Sequence, residues 1–216
     1  MRPELLIAPD IPEAALGLFR ETRPRTIVLA GGETPRPVYQ RLAQEPYHWD
    51  GVEVFFSDER CVPPEDPASN YRMASETLLS FVPAHAHRMP GETCDAAAYE
   101  QELRQVLGGA LPEFDLAFLG LGADGHTASL FPGDAALDEW DRWVAKVTRP
   151  DHERLTLTLP VLSAARVVVF LVAGAGKRDA LRRMMAGEDL PANRVEARRV
   201  VAVADSAAAS GVELRS

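Results

Sequence analysis

The sequence has only two cysteines in 216 residues, Cys61 and Cys94, and neither stands beside a pattern of metal ligands. Small secreted domains that depend on disulfides have many more, so we expect these two to be free thiols in a reducing compartment. No hydrophobic run is long enough to cross a membrane, and the apolar stretch within residues 1–10 is too short for a signal peptide. We therefore expect a cytoplasmic protein.

Positive charge is also scarce. The 32 Asp and Glu residues outnumber the 23 Lys and Arg residues, the net charge is −9, and no basic tract is present. This balance argues against general nucleic-acid binding and against attachment to an anionic membrane. A small anionic ligand stays compatible with it, because a local cluster of Arg, Lys and backbone N–H groups can oppose the overall sign.

Short apolar runs alternate with amphipathic segments along the chain. The runs predict strands at about 5–8, 25–30, 52–56, 116–121, 143–147, 154–159, 166–173 and 199–204. The segments between them predict helices at about 10–20, 35–44, 70–79, 95–107, 160–165 and 177–187, with a short last helix after residue 205. This alternation predicts one α/β domain over residues 1–216, with an open, mainly parallel, Rossmann-like sheet that carries helices on both faces.

Residues that favour helix ends support several of these boundaries. Asp10 and Thr34 are the expected N-caps of the first two helices, and Asp205 is the expected N-cap of the last one. Gly108 and Gly109 are expected to end the helix at 95–107, because glycine adopts the left-handed conformation that closes a helix.

Residue types suited to ligand binding or catalysis follow four of the predicted strands, in the segments Gly31–Thr34, Asp58–Arg60, Gly122–His126 and Gly174–Lys177. Open α/β sheets bind ligands beyond the carboxyl ends of their strands, so these segments are expected on one rim. Glycine turns at helix starts expose N–H groups to an anion, and a histidine exchanges protons near neutral pH. Together the segments predict a site for a phosphorylated small molecule with acid–base chemistry.

Each segment by itself also has a purely structural interpretation. The glycine turns could be plain connections between a strand and a helix, and the three charges at 58–60 could be solvated surface. Asp124 and His126 could hydrogen-bond only their own loop, since a short motif is a hypothesis until its context supports it. The convergence of four segments on one rim is what favours the functional interpretation.

Three further patterns fail the spacing that their chemistry needs. The segment Gly174–Lys177 lacks the spacing of a P-loop, and Gly120 and Gly122 do not continue as a dinucleotide fingerprint. His85 and His87 have the spacing of two metal ligands, but no third ligand stands nearby in the sequence. We therefore predict neither a cofactor nor a metal ion.

Five stretches occur together in a familiar order: LAGGETPRPVY at 29–39, FFSDER at 55–60, SNY at 69–71, GLGADGHTASLFP at 120–132 and LTLTLP at 155–160. They resemble the 6-phosphogluconolactonases of the glucosamine-6-phosphate isomerase/6-phosphogluconolactonase family. The resemblance implies a cytoplasmic, metal-independent, monomeric lactonase of the oxidative pentose phosphate pathway. Such an enzyme opens 6-phosphoglucono-1,5-lactone to 6-phosphogluconate. The resemblance also implies a fold shared with glucosamine-6-phosphate deaminase.

Two rival functions stay open at this point. Deaminases of the family carry Asp-Glu-Tyr where this chain has Asp58-Glu59-Arg60. They also carry the glutamate of Ala-Phe-Asn-Glu-Pro where residues 128–132 are Ala-Ser-Leu-Phe-Pro. The missing carboxylate favours the lactonase, because lactone hydrolysis does not need that proton-handling partner. A sugar-phosphate sensor that binds without catalysis is the other rival, but this chain has no room for the DNA-binding head that such sensors usually carry.

The predicted reaction starts with a water molecule that His126 activates as general base, since a free imidazole titrates at about 6.5. Asp58 or Asp124 orients the imidazole or holds a sugar hydroxyl. Ser129 is an alternative nucleophile, but it lacks the Gly-x-Ser-x-Gly elbow. The N–H groups of Gly122 and Gly125 are the expected donors to the oxyanion.

The predicted phosphate anchor consists of Gly31, Gly32, Thr34 and Lys177. Arg60 either joins this anchor or pairs with Asp58, and the sequence does not decide between the two. Arg149 and Arg154 are further candidates for the anchor. Glu33 departs from the small hydroxyl residue that lactonases usually have at this position, so it is expected to point away from the phosphate.

Overall fold

The computed structural model describes residues 2–108 and 111–212. In chain order the strands are β1 Glu4–Ile7, β2 Thr26–Leu29, β3 Glu53–Phe56, β4 Asp58–Arg60, β5 His85–Ala86, β6 Leu116–Gly120, β7 Val144–Thr148, β8 Glu153–Leu157, β9 Val167–Val172 and β10 Arg199–Ala204. The α-helices are α1 Ile11–Thr22, α2 Arg36–Leu42, α3 Asn70–Ala74, α4 Ala96–Leu107, α5 Leu159–Ser163, α6 Arg178–Ala186 and α7 Ser206–Ala209. A π-helical turn at Ser75–Leu79 and 3₁₀ turns at Ala135–Asp138, Ala175–Lys177 and Pro191–Arg194 complete the helical segments.

Seven parallel strands form the main sheet, in the order β1-β10-β9-β6-β2-β3-β5. The central strands are apolar runs that are buried along nearly their whole length, which is typical of a parallel sheet flanked by helices. The predicted α/β class and parallel sheet are therefore confirmed. The extent of one domain over residues 1–216 stays a prediction.

A second sheet consists of three antiparallel strands in the order β4-β8-β7. The sequence predicts β7 and β8 but not β4, whose three residues are all charged. Asp58 and Glu59 are buried, with exposed fractions of 6% and 2%, so the interpretation of this segment as solvated surface is wrong. Its backbone bonds to β8, and four donors around the Glu59 carboxylate take the place of water.

The residues predicted to cap helices act as such in α1 and α7. Asp10 accepts a hydrogen bond from the backbone N–H of Glu13, and Asp205 accepts one from Ala208. The prediction for Thr34 is wrong, because α2 begins at Arg36 after Pro35 and has no side-chain cap. Gly108 follows α4 with a positive φ of 91°, whereas Gly109 lies outside the described residues. No helix in the described ranges has the length and apolar character needed to cross a bilayer.

Cys61 and Cys94 form a disulfide, with their Cα atoms 5.1 Å apart, so the prediction of free thiols is wrong. Cys61 directly follows β4, and Cys94 precedes α4. The two are brought together because the backbone at Gly91 packs closely against the carbonyl oxygens of Arg60 and Val62. That contact joins segments 33 residues apart, and no local pattern in the sequence announces it.

We expect reduction of this disulfide to lower the free energy of unfolding by about 3–4 kcal/mol, because it closes a loop of roughly this length in the unfolded chain. Urea denaturation of the oxidised protein, with and without dithiothreitol, measures the effect. The double variant Cys61→Ser/Cys94→Ser is the control, and it should show the lower stability under both conditions. Equal stability of the oxidised and reduced native protein would contradict the expectation.

Candidate active site

A cleft of about 220 Å³ opens where β2, β3, β6 and β9 end. Residues from all four of the segments singled out in the sequence line it, so these segments do meet on one rim. Nine of the twelve residues predicted for the site are part of the lining: Gly31, Gly32, Thr34, Asp58, Arg60, Gly122, His126, Arg154 and Lys177. The other three, Asp124, Gly125 and Arg149, are not among the lining residues.

The imidazole of His126 is held by one carboxylate. Its Nδ1 lies 2.6 Å from Oδ1 of Asp124, which also accepts the backbone N–H of His126 at 3.1 Å. Burial alone would raise the pKa of Asp124, but these two hydrogen bonds outweigh it and hold that pKa below its ordinary value. Asp124 therefore stays ionised and accepts a hydrogen bond from the Nδ1–H of His126, which leaves Nε2 of His126 as the basic nitrogen.

Gly122 allows the imidazole to take this position. A Cβ atom at residue 122 would collide with the His126 ring and crowd the Asp124 carboxylate. The turn is closed by two backbone hydrogen bonds, from the N–H of Gly122 to the carbonyl of His126 and from the N–H of Gly125 to the carbonyl of Gly122. Both N–H groups are thus used inside the turn, so the expectation that they stabilise an oxyanion is not met.

Asp58 is a buried carboxylate held entirely by neutral donors. Ser129 Oγ donates to its Oδ2 at 2.7 Å, and Ser57 Oγ and Asn70 Nδ2 donate to its Oδ1 at 3.1 and 3.3 Å. Ser129 is completely buried in this bond, which rules it out as an exposed nucleophile. Of the two aspartates predicted to orient His126, Asp124 is the one bonded to the ring. No ion pair joins Asp58 and Arg60 in the described part of the chain.

The turn after β2 offers unpaired backbone donors. The hydroxyl of Tyr39 fixes its start by bonding both the N–H and the carbonyl of Ala30. Beyond it, no group in the described residues accepts a hydrogen bond from the N–H groups at 31–34. A Cβ at Gly31 would collide with the side chain of Asn70, so glycine is required there for the two segments to meet. Adjacent free N–H groups of this kind form an anion site.

The side chain of Glu33 does not compete with an anion at this turn. It is 88% exposed, and its carboxylate lies 3.4 Å from the guanidinium of Arg36. Glu33 is among the residues that line the cleft, and its carboxylate is paired with Arg36 at the exposed edge.

Arg60 and Arg154 place two guanidinium groups side by side. The residues are direct partners in the antiparallel pairing of β4 with β8. Arg60 donates to the carbonyl of Ala68 at 2.6 Å, and Arg154 donates to Asp151 at 2.5 Å. Each also has a buried Nε without a hydrogen-bond partner. Two neighbouring positive charges with unused donors favour an anion or a developing negative charge in the cleft.

Phe131 connects these charges to the histidine. Its ring centroid is 4.4 Å from that of His126, and the guanidinium carbons of Arg149 and Arg154 lie 4.1 and 5.6 Å from it. The two arginines thus make cation–π contacts with a ring that packs against the imidazole. Arg154 and His126 therefore contact the same aromatic ring and line the same cleft.

Lys177 supplies a cation without a carboxylate partner. It ends the 3₁₀ turn Ala175–Lys177 and lines the cleft. No carboxylate among the described residues lies within ion-pair distance of its ammonium group. Lys146, the other lysine of the sequence, pairs with Glu153 at 2.9 Å. Lys177 is therefore available to an anionic ligand.

The chain was compared with protein families and with proteins of known structure. The model of the glucosamine-6-phosphate isomerases/6-phosphogluconolactonase family matches residues 7–204. This chain belongs to that family. A family member from Synechocystis sp., described as a 6-phosphogluconolactonase, is 46% identical over 176 residues, which cover 77% of this chain and 73% of the relative. A relative from Pseudomonas putida with the same description is 37% identical over 195 residues, which cover 85% of this chain and 79% of the relative.

Solved structures of the family superpose on nearly the whole chain. The 6-phosphogluconolactonase from Trypanosoma cruzi has a TM-score of 0.89 at 28% identity and covers 99% of this chain and 98% of its own. A monomeric glucosamine-6-phosphate deaminase has a TM-score of 0.81 at 20% identity and covers 96% of this chain and 99% of its own. At that identity the likeness shows the shared fold alone.

Four residues of this family member's site carry no role in the sequence analysis: Ser57, Asn70, Phe131 and Tyr39. Asn70 belongs to the SNY stretch that resembles the family, which is the one signal that could have drawn attention to it. Tyr39 and Phe131 act through contacts with other segments of the chain, and Ser57 contacts the adjacent Asp58. The local sequence does not distinguish any of the three from core residues.

Proposed function

We propose that this chain hydrolyses 6-phosphoglucono-1,5-lactone to 6-phosphogluconate. The observation that carries the proposal is the Asp124–His126 pair, 2.6 Å apart, in a cleft that is also lined by Arg60, Arg154 and Lys177. A base held by a carboxylate suits the activation of water, and three cations suit a substrate that is anionic at one end and becomes anionic at the other. The two relatives described above carry the name of this activity.

The reaction begins with water between His126 and the lactone carbonyl carbon. Nε2 of His126 takes a proton from the water as its oxygen bonds to that carbon, and the carbonyl oxygen becomes an oxyanion. When the carbonyl re-forms, the bond to the ring oxygen breaks, and that oxygen receives the proton from Nε2. Asp124 stabilises the imidazolium that exists between the two steps.

The oxyanion is assigned to the guanidinium groups of Arg154 and Arg60. The cation–π contacts through Phe131 bring Arg154 near the imidazole, and the N–H groups of Gly122 and Gly125 are occupied in their turn. One well-placed donor to an oxyanion is worth about 3–4 kcal/mol of transition-state stabilisation. Arg149 supports this end of the cleft through its own contact with Phe131.

The phosphate is assigned to the turn after β2 and to Lys177. The free N–H groups of Gly31, Gly32 and Thr34 and the Lys177 ammonium have no other protein partner in the described residues. The two ends of the substrate are thus recognised by different groups. Asp58 lines the cleft between neutral donors and is assigned to a sugar hydroxyl rather than to His126.

The direct test measures the opening of 6-phosphoglucono-1,5-lactone by the purified protein near neutral pH, with the spontaneous rate subtracted. Release of ammonia from glucosamine 6-phosphate is measured in parallel. A rate above background with the lactone and no ammonia supports the proposal. Ammonia release would favour the deaminase, and binding of a sugar phosphate without either reaction would favour a sensor.

We also propose that the protein acts as a monomer in the cytoplasm. Phosphorylated sugars stay in that compartment because their charge prevents them from crossing a membrane. The resemblance to 6-phosphogluconolactonases, on which the sequence analysis relies, favours the monomer. Light scattering on a sizing column should give the mass of one chain, 23.6 kDa.

A further inference from the structure

A second cluster of chemically reactive side chains lies at the end of the sheet opposite to the cleft. Glu53 is the first residue of β3 and His85 is the first residue of β5, and the two are partners in the parallel pairing. His87 continues the same edge by donating its N–H to the carbonyl of Val54. Two residues apart on an extended chain, His85 and His87 project to one face.

The three side chains bring their ligand atoms together. Oε2 of Glu53 lies 2.6 Å from Nε2 of His87 and 3.1 Å from Nδ1 of His85. All three atoms lie within 4.8 Å of one another. Tetrahedral zinc, with bonds of about 2.0–2.1 Å, separates its ligand atoms by about 3.4 Å, so shifts of less than about 1 Å would accommodate the ion. Glu53 supplies the third ligand that is missing from the local sequence.

A fourth residue fixes the orientation of the buried histidine. Nδ1 of His87 lies 2.7 Å from a carboxylate oxygen of Glu102 on α4. The ring also stacks on Phe55, with centroids 4.6 Å apart and planes 12° from parallel. With its Nδ1–H donated to Glu102, His87 directs Nε2 toward Glu53 and His85, where a metal ion would replace the proton shared by Nε2 and Glu53. Metal-binding histidines characteristically donate their second N–H to a carboxylate in this way.

We propose that Glu53, His85 and His87 bind one divalent transition-metal ion of the zinc type, with Glu102 as the residue that positions His87. Two imidazoles and one carboxylate suit zinc and the neighbouring divalent metals of the first transition row, whereas magnesium and calcium prefer oxygen ligands alone. The His85 side chain is 69% exposed, so the ion can enter from solvent and complete its coordination with water. The ion would fasten the two-residue edge strand β5 to β3.

This site is separate from lactone hydrolysis. The cleft lies at the carboxyl ends of the strands, whereas Glu53 and His85 stand at the amino ends of theirs. The alternative for the same geometry is a hydrogen-bonded cluster in which Glu53 is shared by two imidazoles and no ion is bound. A measurement of metal binding distinguishes the two without reference to activity.

The test uses the full-length protein after treatment with a chelator. Equilibrium dialysis against Zn²⁺, followed by metal analysis, should find one tightly bound equivalent per chain. Co²⁺ at the same site should give the visible absorption bands of a four-coordinate ion. In His85→Gln, which alters an exposed side chain, we expect zinc affinity to fall at least tenfold. His48→Gln changes another exposed histidine outside the cluster and should bind zinc like the native protein.

Three further variants complete the design. His126→Asn should still bind one equivalent of zinc per chain, because the proposed zinc site is not at the cleft. Glu102→Ala should weaken binding about 10- to 100-fold, the usual effect of removing the partner of a ligating histidine. Glu102→Gln should recover much of it, since the amide oxygen still accepts the Nδ1 proton. Three results would overturn the proposal: no zinc bound to the native protein, native zinc affinity in His85→Gln, or loss of the bound zinc in His126→Asn. Native zinc affinity in Glu102→Ala would refute the role of Glu102.

Discussion

His126→Asn is expected to lower kcat for 6-phosphoglucono-1,5-lactone by about 10²- to 10⁴-fold, the range that general-base catalysis supplies. KM should change little, because Nε2 acts on the attacking water and the anionic ends of the substrate are held by other groups. Asparagine is smaller than histidine and suits a polar turn, and the His126 side chain is 31% exposed, so the fold should be retained. The initial rate of lactone opening, measured at several substrate concentrations and corrected for the spontaneous rate, gives kcat and KM for both proteins.

The matched control for this experiment is His48→Asn, which removes an exposed imidazole that is not part of the cleft. It should keep the native kcat, and the circular dichroism spectra of both variants should match that of the native protein. If His126→Asn folds and retains more than about a tenth of the native kcat, His126 is not the essential base, although the lactonase activity itself would stand.

The elements of the main sheet could be predicted because their signals are local. β6, β9 and β10 are continuous apolar runs, and Asp10 and Asp205 cap the helices that follow β1 and β10. The rule that ligands bind beyond the carboxyl ends of parallel strands then brings Gly31, His126 and Lys177 to one rim. The Asp124–His126 contact is local too, since only Gly125 separates the partners within one tight turn, but the sequence left Asp58 and Asp124 as alternatives.

The rest of the site depends on contacts between distant residues. β4 is charged along its whole length, and only its pairing with β8 and the donors around Glu59 make its burial favourable. Burial raises the pKa of Glu59, while hydrogen bonds from the N–H groups of Tyr71, Asn70 and Arg60 oppose that shift. Periodicity predicts a buried strand from apolar residues, so it could not predict this one.

The same limitation applies to the cysteines and to the histidines at the sheet edge. Cys61 and Cys94 look like two unrelated thiols until the segment around Gly91 packs against β4. The spacing of His85 and His87 shows two ligands, but the third, Glu53, becomes a neighbour only through the register of β5 against β3. In each case the residue types are visible in the sequence, and the contact that gives them a role is set by sheet pairing.

The assignment of the two ends of the substrate predicts a crossed result for Arg154→Met and Lys177→Met. Arg154→Met should lower kcat by about 10²- to 10³-fold with the phosphorylated lactone and with unphosphorylated glucono-1,5-lactone alike, because the oxyanion forms on both substrates. Lys177→Met should lower kcat/KM for the phosphorylated lactone by roughly tenfold or more through KM, as expected for the loss of a charge-assisted contact to phosphate. Lys177→Met should leave kcat/KM for the unphosphorylated lactone unchanged.

Lys146→Met is the control for both variants, because it removes a positive charge from β7 that pairs with Glu153 outside the cleft. Lys146→Met should leave kcat and KM for both lactones unchanged. Methionine keeps the length and apolar stem of the replaced side chains, and the carboxylate of Asp151, which Arg154 leaves behind, is 55% exposed and can be solvated. If Arg154→Met instead impairs only the phosphorylated lactone and Lys177→Met impairs both, the phosphate lies at the arginine pair, and the oxyanion is stabilised at the end of the cleft formed by Lys177 and the turn after β2.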